Sequence, residues 1–258
     1  METSRSPLSQ LGIIGNSTFG ALIDQKGRCV WACPGHFGGD PIFNSLLNNN
    51  SEQTGFYDVV LTDFAKSDQQ YVRNSGVLCT KLFSNSNEVI EIHDFTPRFM
   101  IFDRVHDPFQ MFRMLIPIVG DPQITIRIRP TFNYNASEGF CTRGSNHIRY
   151  CGPHETWRVT TNAPVLNIME EIPFLLQKPI YIILGTDESI QSAIEDVFLD
   201  FERKTTNYWL NYMILIRAAI TLKMLISEEQ GGLVSSLTMG IPLGPDAPPT
   251  RVRQVERW

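Results

Sequence analysis

Most of the chain, from residue 11 to about residue 185, alternates apolar and polar positions with the period of β-strands. Ile124, Ile126 and Ile128 alternate with polar residues, and this period of two predicts a strand with one buried face. Pro117 lacks a backbone N–H, so it predicts an edge strand or a bulge where it stands. The same patterns predict further strands at residues 112–118, 157–161 and, buried on both faces, 180–184.

Turn sequences rich in Gly, Asn and Pro separate these runs. Gly120-Asp121-Pro122 and Cys151-Gly152-Pro153 are two of them. Many short strands at near-regular spacing are typical of an antiparallel sandwich. We therefore expect a mainly β chain, built as an antiparallel β-sandwich over residues 1–186.

After Gly185 the apolar period changes to that of a helix. A helix over residues 187–212 is expected to start near Asp187 or Ser189, which are candidate N-caps. Its apolar positions lie near one face. They are Ile190, Ile194, Val197, Phe198, Phe201, Tyr208, Trp209 and Tyr212.

Residues 213–226 are apolar on nearly every side, which predicts a buried helix. Nothing between Tyr212 and Ile214 resembles a turn, so a literal interpretation gives one helix over residues 190–230, ~60 Å long. A helix of that length is unusual in a globular domain. We therefore expect either a kink or a missing connecting loop, and the Pro-rich segment that follows suggests a truncated chain.

Composition excludes several classes of protein. The 258 residues are 42% hydrophobic and 19% charged with a net charge of −5, which argues against disorder, nucleic-acid binding and anionic membranes. The first ten residues resemble no signal peptide, and no apolar run is long enough to span a membrane. The five cysteines leave one unpaired in any disulfide scheme, so reduced thiols in the cytoplasm are expected.

Few residues carry chemistry on sequence grounds. Cys29, Cys33 and His36 are spaced only loosely like metal ligands and lack a second pair, so neither a metal nor a cofactor is predicted. His93 and Asp94 are neighbours on a predicted strand and point to opposite faces, which argues against a dyad. We expect Asp94 to bind a turn or an arginine such as Arg104.

Carboxylate pairs are also available, since an inverting glycosidase needs two carboxyl groups. Structural or surface roles are expected for all of these pairs, with Asp187/Glu188 complementing the dipole of the following helix. Arg127 and Arg129 are expected on a solvated strand face or in a salt bridge to the toroid, with a sugar hydroxyl or an acidic partner as the alternative. The pairs are Glu91/Asp94, Glu170/Glu171, Asp187/Glu188 and Glu228/Glu229.

The loop around residues 31–43 is the best candidate for contact with a sugar. Trp31 and Phe37 offer aromatic faces for stacking, and Asp40 can accept hydrogen bonds from hydroxyl groups. The competing interpretation places Trp31 and Phe43 in the core of the sandwich.

Six short motifs follow one another along nearly the whole chain. Each is weak alone, but in this order they resemble glycoside hydrolase family 15, the glucoamylase-like and trehalase-like enzymes. The motifs are Ile14-Gly15-Asn16 with the segment up to Leu47, Gln70-Tyr71-Val72, Glu91-Ile92-His93-Asp94-Phe95-Thr96-Pro97, Arg127-Ile128-Arg129-Pro130-Thr131-Phe132-Asn133-Tyr134, Arg217-Ala218-Ala219-Ile220-Thr221-Leu222-Lys223-Met224-Leu225 and Gly231-Gly232-Leu233-Val234-Ser235-Ser236-Leu237-Thr238.

The resemblance implies an N-terminal sandwich, a connector helix and an α/α toroid that hydrolyses α-glucosidic bonds. Residues 1–186 would be the sandwich, residues 187–212 the connector, and residues 213–258 the start of an incomplete toroid. The family's Arg-Asn-Trp-Asp-Tyr-Arg signature is absent, and its catalytic glutamates are expected beyond Trp258.

Two functions remain open at this point. One is the non-catalytic portion of an inverting glucoamylase- or trehalase-like hydrolase, inactive as this chain, whose sugar would be an α-glucoside or trehalose. The other is a stand-alone β-sandwich that binds carbohydrate or docks to a catalytic toroid. Neither involves nucleic acid or a membrane.

Overall fold

The computed structural model describes residues 10–34, 40–48, 52–224, 226–227 and 232–233, with side chains as far as Tyr212. Within these residues lie two helices, α1 (Val165–Met169) and α2 (Ile194–Met224), eighteen strands and the short 3-10 turns Ser45–Asn48 and Asn133–Asn135. The strands are β1 (Gly12–Gly15), β2 (Phe19–Ile23), β3 (Cys29–Pro34), β4 (Phe56–Leu61), β5 (Phe64–Tyr71), β6 (Leu78–Ser84), β7 (Val89–Phe95), β8 (Phe99–Ile101), β9 (Arg104–His106), β10 (Gln110–Val119), β11 (Gln123–Arg129), β12 (Phe140–Arg143), β13 (His147–Cys151), β14 (Thr156–Thr161), β15 (Phe174–Leu175), β16 (Ile180–Thr186), β17 (Ile226–Ser227) and β18 (Gly232–Leu233).

Two antiparallel sheets form the sandwich, as the alternating pattern predicts. The first sheet has the order β1-β2-β3-β4-β11-β15, and the second has the order β12-β13-β14-β16-β10-β7-β6-β5. Their facing sides enclose one hydrophobic cluster, to which Ile124, Ile126 and Ile128 all contribute. The hairpins β8-β9 and β17-β18 form separate two-stranded sheets.

The second sheet is covered on both sides, which explains its long apolar runs. On β10, Met111 and Leu115 face the first sheet, whereas Phe112 and Met114 belong to a second cluster with Phe198 of α2. The strand β16 divides its side chains in the same way, so its continuous apolar pattern is confirmed as burial on both faces. The molecule therefore has three layers here: sheet, sheet and helix.

Local irregularities fall where special residues stand. The register of β10 against β7 shifts between Pro117 and Val119, so the predicted bulge is confirmed in a central strand. Gly120 then turns the chain into β11 with a φ of 74°, a left-handed conformation that glycine adopts without strain. The prediction for residues 157–161 is confirmed by β14, whose Trp157 and Val159 are buried.

The helix α2 differs from its sequence-based prediction at both ends. It begins at Ile194, so neither Asp187 nor Ser189 is its N-cap, and Glu195 and Asp196 occupy the first turn instead. It continues without interruption past Tyr212 to Met224, as the missing turn signal predicts. Tyr212 is 46% exposed although the helical period places it on the same face as Phe198, and Thr205 on that face is buried.

The chain divides into two compact units, residues 1–209 and 210–258. The predicted boundary between connector and toroid at residues 212 and 213 stays a prediction. In the described part of the chain, the helices are too short or too polar to cross a membrane. The side chains of residues 213–226, predicted to be buried, lie outside the described residues.

Candidate functional site

The end of the predicted sugar-binding loop pairs with β3, the strand from which the loop starts. Trp31 is half-buried on β3, and the backbones of Ala32 and Phe43 pair as an isolated bridge. Phe43 is fully buried in the sandwich core, as the competing interpretation predicts for that residue. Asp40 is exposed, while Phe37 and the candidate ligand His36 lie outside the described residues.

One neighbour of the loop was not predicted. Asp40 lies close enough to Glu155 to influence its ionisation, although the two residues are far apart in sequence. Burial, the largest influence, raises the pKa of Glu155, and the nearby Asp40 raises it further. A hydrogen bond with the side chain of Trp157, whose indole nitrogen is buried, lowers the pKa of Glu155 in part.

The candidate carboxylate pairs that the structure describes contribute side chains to ion pairs. Asp187 binds Arg149 and lies 3.5 Å from Arg158, so it does not complement the dipole of α2. Glu171 lies 2.6 Å from Arg129, which corrects the prediction of a solvated face for that arginine. Glu228 and Glu229 lie outside the described residues. In each described pair, at least one carboxylate is held by a basic side chain.

Asp94 and Arg113 form an ion pair inside the sandwich. Arg113 donates hydrogen bonds from Nε and Nη2 to the two oxygens of Asp94, at 2.6 and 2.9 Å, and both side chains are fully buried. Arg113 also donates to the carbonyl of Gly27, and its guanidinium stacks 4.2 Å from the ring centre of Tyr57. Burial lowers the pKa of Arg113, but the carboxylate of Asp94 outweighs it and raises the pKa. Arg104, the partner expected for Asp94, is exposed on β9.

An aromatic cluster fixes α2 on the outer face of the second sheet. Phe198 packs against Phe95, Phe112 and Tyr181 with ring centres 5.3, 5.4 and 5.3 Å apart. Phe201 stacks on Phe112 at 5.4 Å, one helical turn further along. These contacts are what the helical period of apolar residues predicts, with the sheet face now identified.

Asn16 joins the end of β1 to the loops that flank β8 and β9. The side chain is buried, and its Nδ2 donates to the carbonyls of Pro97 and Pro108 at 2.9 and 2.8 Å. Its Oδ1 accepts the backbone N–H groups of Thr18 and Phe19. Two of the sequence motifs, Ile14-Gly15-Asn16 and the one ending at Pro97, therefore meet in space.

Arg98 extends this network to α2. Its guanidinium donates to the carbonyl of Asn16 and, at 3.1 Å, to the hydroxyl of Tyr208 on the helix. The backbone N–H of Arg98 donates to Thr205 Oγ1 at 3.2 Å, and Asp107 lies 3.3 Å from its Nη1. Thr205 is buried and polar, so its position on the helix is explained by this hydrogen bond rather than by hydrophobic packing.

A second polar cluster holds the same helix from the other side of the aromatic rings. The Nδ1 atom of His93 lies 2.9 Å from a carboxylate oxygen of Glu202 on α2, and its Nε2 atom lies 2.6 Å from a carboxylate oxygen of Glu91. Burial by itself lowers the pKa of His93, but hydrogen bonds with Cys79, Glu202 and Glu91 raise the pKa to about 11. His93 and Asp94 face opposite sides of the sheet, so the sequence argument against a dyad is confirmed.

Sequence reasoning missed both polar clusters. Glu91 and His93 alternate on one strand, which placed them on one face, but nothing local indicated Glu202, which is 109 residues from His93 in the chain.

Cys29 and Cys33, considered as metal ligands, are both buried on β3. The group of potential ligands in the described part of the chain is instead Cys79, Glu91 and His93.

Comparison with known proteins gives a distant relationship. No protein-family model matches the chain. It is 23% identical over 254 residues to a trehalase of Thermoplasma volcanium, covering 90% of this chain and 39% of that protein. It is 22% identical over 245 residues to a trehalase of Thermoplasma acidophilum, covering 86% of this chain and 40% of that protein.

These similarities amount to weak, trehalase-like homology over most of the chain. The chain spans about two fifths of the length of the curated relatives it matches. The region compared includes both the sandwich and the helix that is packed on it.

Proposed function

We propose that the chain forms the non-catalytic sandwich and connector helix of an inverting α-glucosidic hydrolase of the family 15 type, glucoamylase- or trehalase-like. The observation that carries the proposal is the trehalase-like homology along 90% of the chain. The sugar would be trehalose or another α-glucoside, hydrolysed in an α/α toroid that begins after residue 212. A cytoplasmic location stays a prediction.

The ion pairs support a non-catalytic role for the sandwich. General acid–base hydrolysis with inversion needs two free carboxyl groups ~6.5–9.5 Å apart, one protonated and one ionised. Glu91, Asp94, Glu171 and Asp187 are each engaged by a basic side chain in the described residues. These carboxylates stabilise the fold and are poor candidates for proton transfer.

The packing of α2 supports a role in positioning. Phe198 and Phe201 hold one side of the helix, and Arg98 and His93 hold it through hydrogen bonds at either flank. A helix held by both apolar and directional contacts has one orientation on the sheet. In our proposal the helix packed in this way is the connector that joins the sandwich to a catalytic toroid.

A chimera tests the proposal directly. The region of the Thermoplasma volcanium trehalase that the chain matches is replaced by this chain, and glucose release from trehalose is measured. We expect the chimera to hydrolyse trehalose, and the 258-residue chain alone to release no glucose from trehalose, maltose or starch. The chain alone supplies the sandwich but, in this proposal, neither the acid nor the base.

Two results would contradict the proposal. One is a chimera that folds, as judged by circular dichroism, but has no trehalase activity. The other is glucose release by the chain alone that disappears in Asp40→Asn or Glu155→Gln, since catalysis would then reside in the sandwich.

The surroundings of Asp40 favour a second function, that of a stand-alone carbohydrate-binding module. Asp40 is exposed, and it lies close enough to Glu155 to raise the pKa of that carboxyl group. Carboxylates accept hydrogen bonds from sugar hydroxyl groups, and hydrogen bonds to charged groups contribute ~1.5–3 kcal/mol each. A related alternative is a domain-docking module, in which the surface around Asp40 binds a catalytic toroid on a separate chain.

Calorimetric titration with maltose and trehalose distinguishes this second function. If the module binds sugar, we expect saturable binding that weakens roughly tenfold or more in Asp40→Asn and in Glu155→Gln. Asp200→Asn, an exposed change on α2, is the matched control and should bind like the unaltered chain. Heats that do not saturate, or equal binding by all variants, would rule out this site.

A further inference from the structure

Three potential metal ligands meet on the face of the second sheet that α2 covers. Cys79 on β6 is the direct cross-strand partner of His93 on β7, and Glu91 lies two residues before His93 on the same face. The Cys79 sulfur, a carboxylate oxygen of Glu91 and an imidazole nitrogen of His93 all lie within 4.8 Å of one another. Three ligand atoms this close together can bind one metal ion after small movements.

Glu202 of α2 fixes the orientation of the His93 imidazole. Glu202 lies 2.9 Å from His93 Nδ1, so a proton on Nδ1 is shared with this carboxylate. Histidines that bind metals usually donate their other N–H to a carboxylate or carbonyl, which fixes the tautomer. His93 Nε2 then faces Glu91, 2.6 Å away, and an ion bound there would displace the proton that these two groups share.

We propose that Cys79, Glu91 and His93 form a binding site for a divalent transition metal of the zinc or cobalt type, with Glu202 positioning the imidazole. A thiolate, an imidazole and a carboxylate are the ligands that Zn²⁺ and Co²⁺ accept, whereas Mg²⁺ and Ca²⁺ prefer oxygen alone. Three protein ligands leave the fourth tetrahedral position to water. The site is separate from the residues that our proposed function assigns to sugar.

Small movements would admit the ion. Two ligands, each about 2.0 Å from a tetrahedral zinc, lie roughly 3.3 Å apart, so the 2.6 Å contact between Glu91 and His93 must open slightly. The side chain of Glu91 can make this movement. Its Oε2 lies 3.0 Å from the ammonium group of Lys81, whose side chain is 37% exposed and can move with it. Cys79 must lose its proton, and metal binding supplies the free energy for that loss.

The charges of the cluster suit a cation. Glu91 and Glu202 bring two carboxylates to one imidazole, and Cys79 adds a group that becomes negative when it binds metal. A divalent ion at His93 Nε2 replaces the imidazole proton with a larger positive charge. Because Glu202 belongs to α2, the bound ion would also strengthen the contact between helix and sheet.

Cobalt titration of the full chain, purified in the presence of a chelator and then freed of it, tests the site. We expect one equivalent of Co²⁺ to produce a thiolate-to-cobalt charge-transfer band in the near ultraviolet. Cys79→Ser and His93→Gln should abolish the band, whereas Cys141→Ser, which removes an exposed cysteine on β12, should keep it. Glu202→Gln should keep the band with affinity reduced about 10–100-fold, the usual effect of losing such a positioning carboxylate.

A second measurement covers variants that fold poorly. Zinc should raise the thermal midpoint of the unaltered chain, since a ligand that binds the folded state stabilises it. The proposal is overturned if the unaltered chain shows neither the thiolate band nor a zinc-dependent midpoint. It is equally overturned if the band persists in Cys79→Ser or is lost in Cys141→Ser, because the sulfur ligand would then be another residue.

Discussion

Replacing Asp94 with Asn should lower the free energy of unfolding by about 3–5 kcal/mol, because it leaves the buried guanidinium of Arg113 without its counter-charge. Both side chains are fully buried, and Asp94 accepts two hydrogen bonds from Arg113. Because both side chains are fully buried, bulk solvent does not screen the unpaired guanidinium. Urea denaturation followed by circular dichroism measures the effect, with the slope checked for constancy.

A double variant separates the charge from the space it fills. Arg113→Met alone leaves Asp94 unpaired and should lower the free energy of unfolding as much as Asp94→Asn does. The double variant Asp94→Asn/Arg113→Met should lose about 0.5–3 kcal/mol less than the two single variants added together. Asp200→Asn provides the control, since Asp200 pairs with Arg203 at an exposed position on α2 and should change stability by less than about 0.5 kcal/mol. A loss below about 1 kcal/mol in Asp94→Asn would show that the pair is not essential to the sandwich.

Shortening Phe198 to Ala should release α2 from the sheet at a cost of about 3–5 kcal/mol, the usual range for a fully buried aromatic side chain. The ring of Phe198 is fully buried and contacts Phe95, Phe112 and Tyr181. Hydrogen exchange followed by mass spectrometry locates the effect along the chain. We expect the amides of Ile194 to Trp209 to lose protection, while those of β11 keep theirs.

The neighbouring residue supplies the control for this variant. Leu199→Ala changes a side chain that is 44% exposed, about 100° around the helix from Phe198, so its effect should be several-fold smaller. Unchanged exchange in α2 of Phe198→Ala would contradict the assignment of the aromatic cluster as the main attachment of the helix. Equal loss of protection in both variants would indicate that helix propensity, rather than packing, holds α2 in place.

Local pattern was sufficient for most elements of the fold. The alternation around Ile126 identified β11, and the apolar run ending at Leu184 identified a strand covered on both faces. The helical face of α2 was correct at Phe198 and Phe201, which pack on the sheet, whereas Tyr212 is exposed. Its start was also wrong, because the capping argument chose Asp187, which the structure uses for an ion pair with Arg149.

The candidate sites were only partly predictable. Asp40 was identified from the composition of its loop, but its proximity to Glu155 arises from strands far apart in the chain. The cluster at His93 needed Cys79 from the neighbouring strand and Glu202 from the helix. No local spacing connects these residues, so no motif could reveal them.

The sequence by itself determined the periods of the strands and the helix, and the ordered motifs that indicate a trehalase-like relationship. These properties depend on neighbouring residues, because burial of one face requires a repeat that matches the geometry of the element. Only the tertiary structure decided which charges meet: Asp94 with Arg113, and His93 with Glu202. Such pairs depend on strand order, register and helix placement, which the whole molecule sets together.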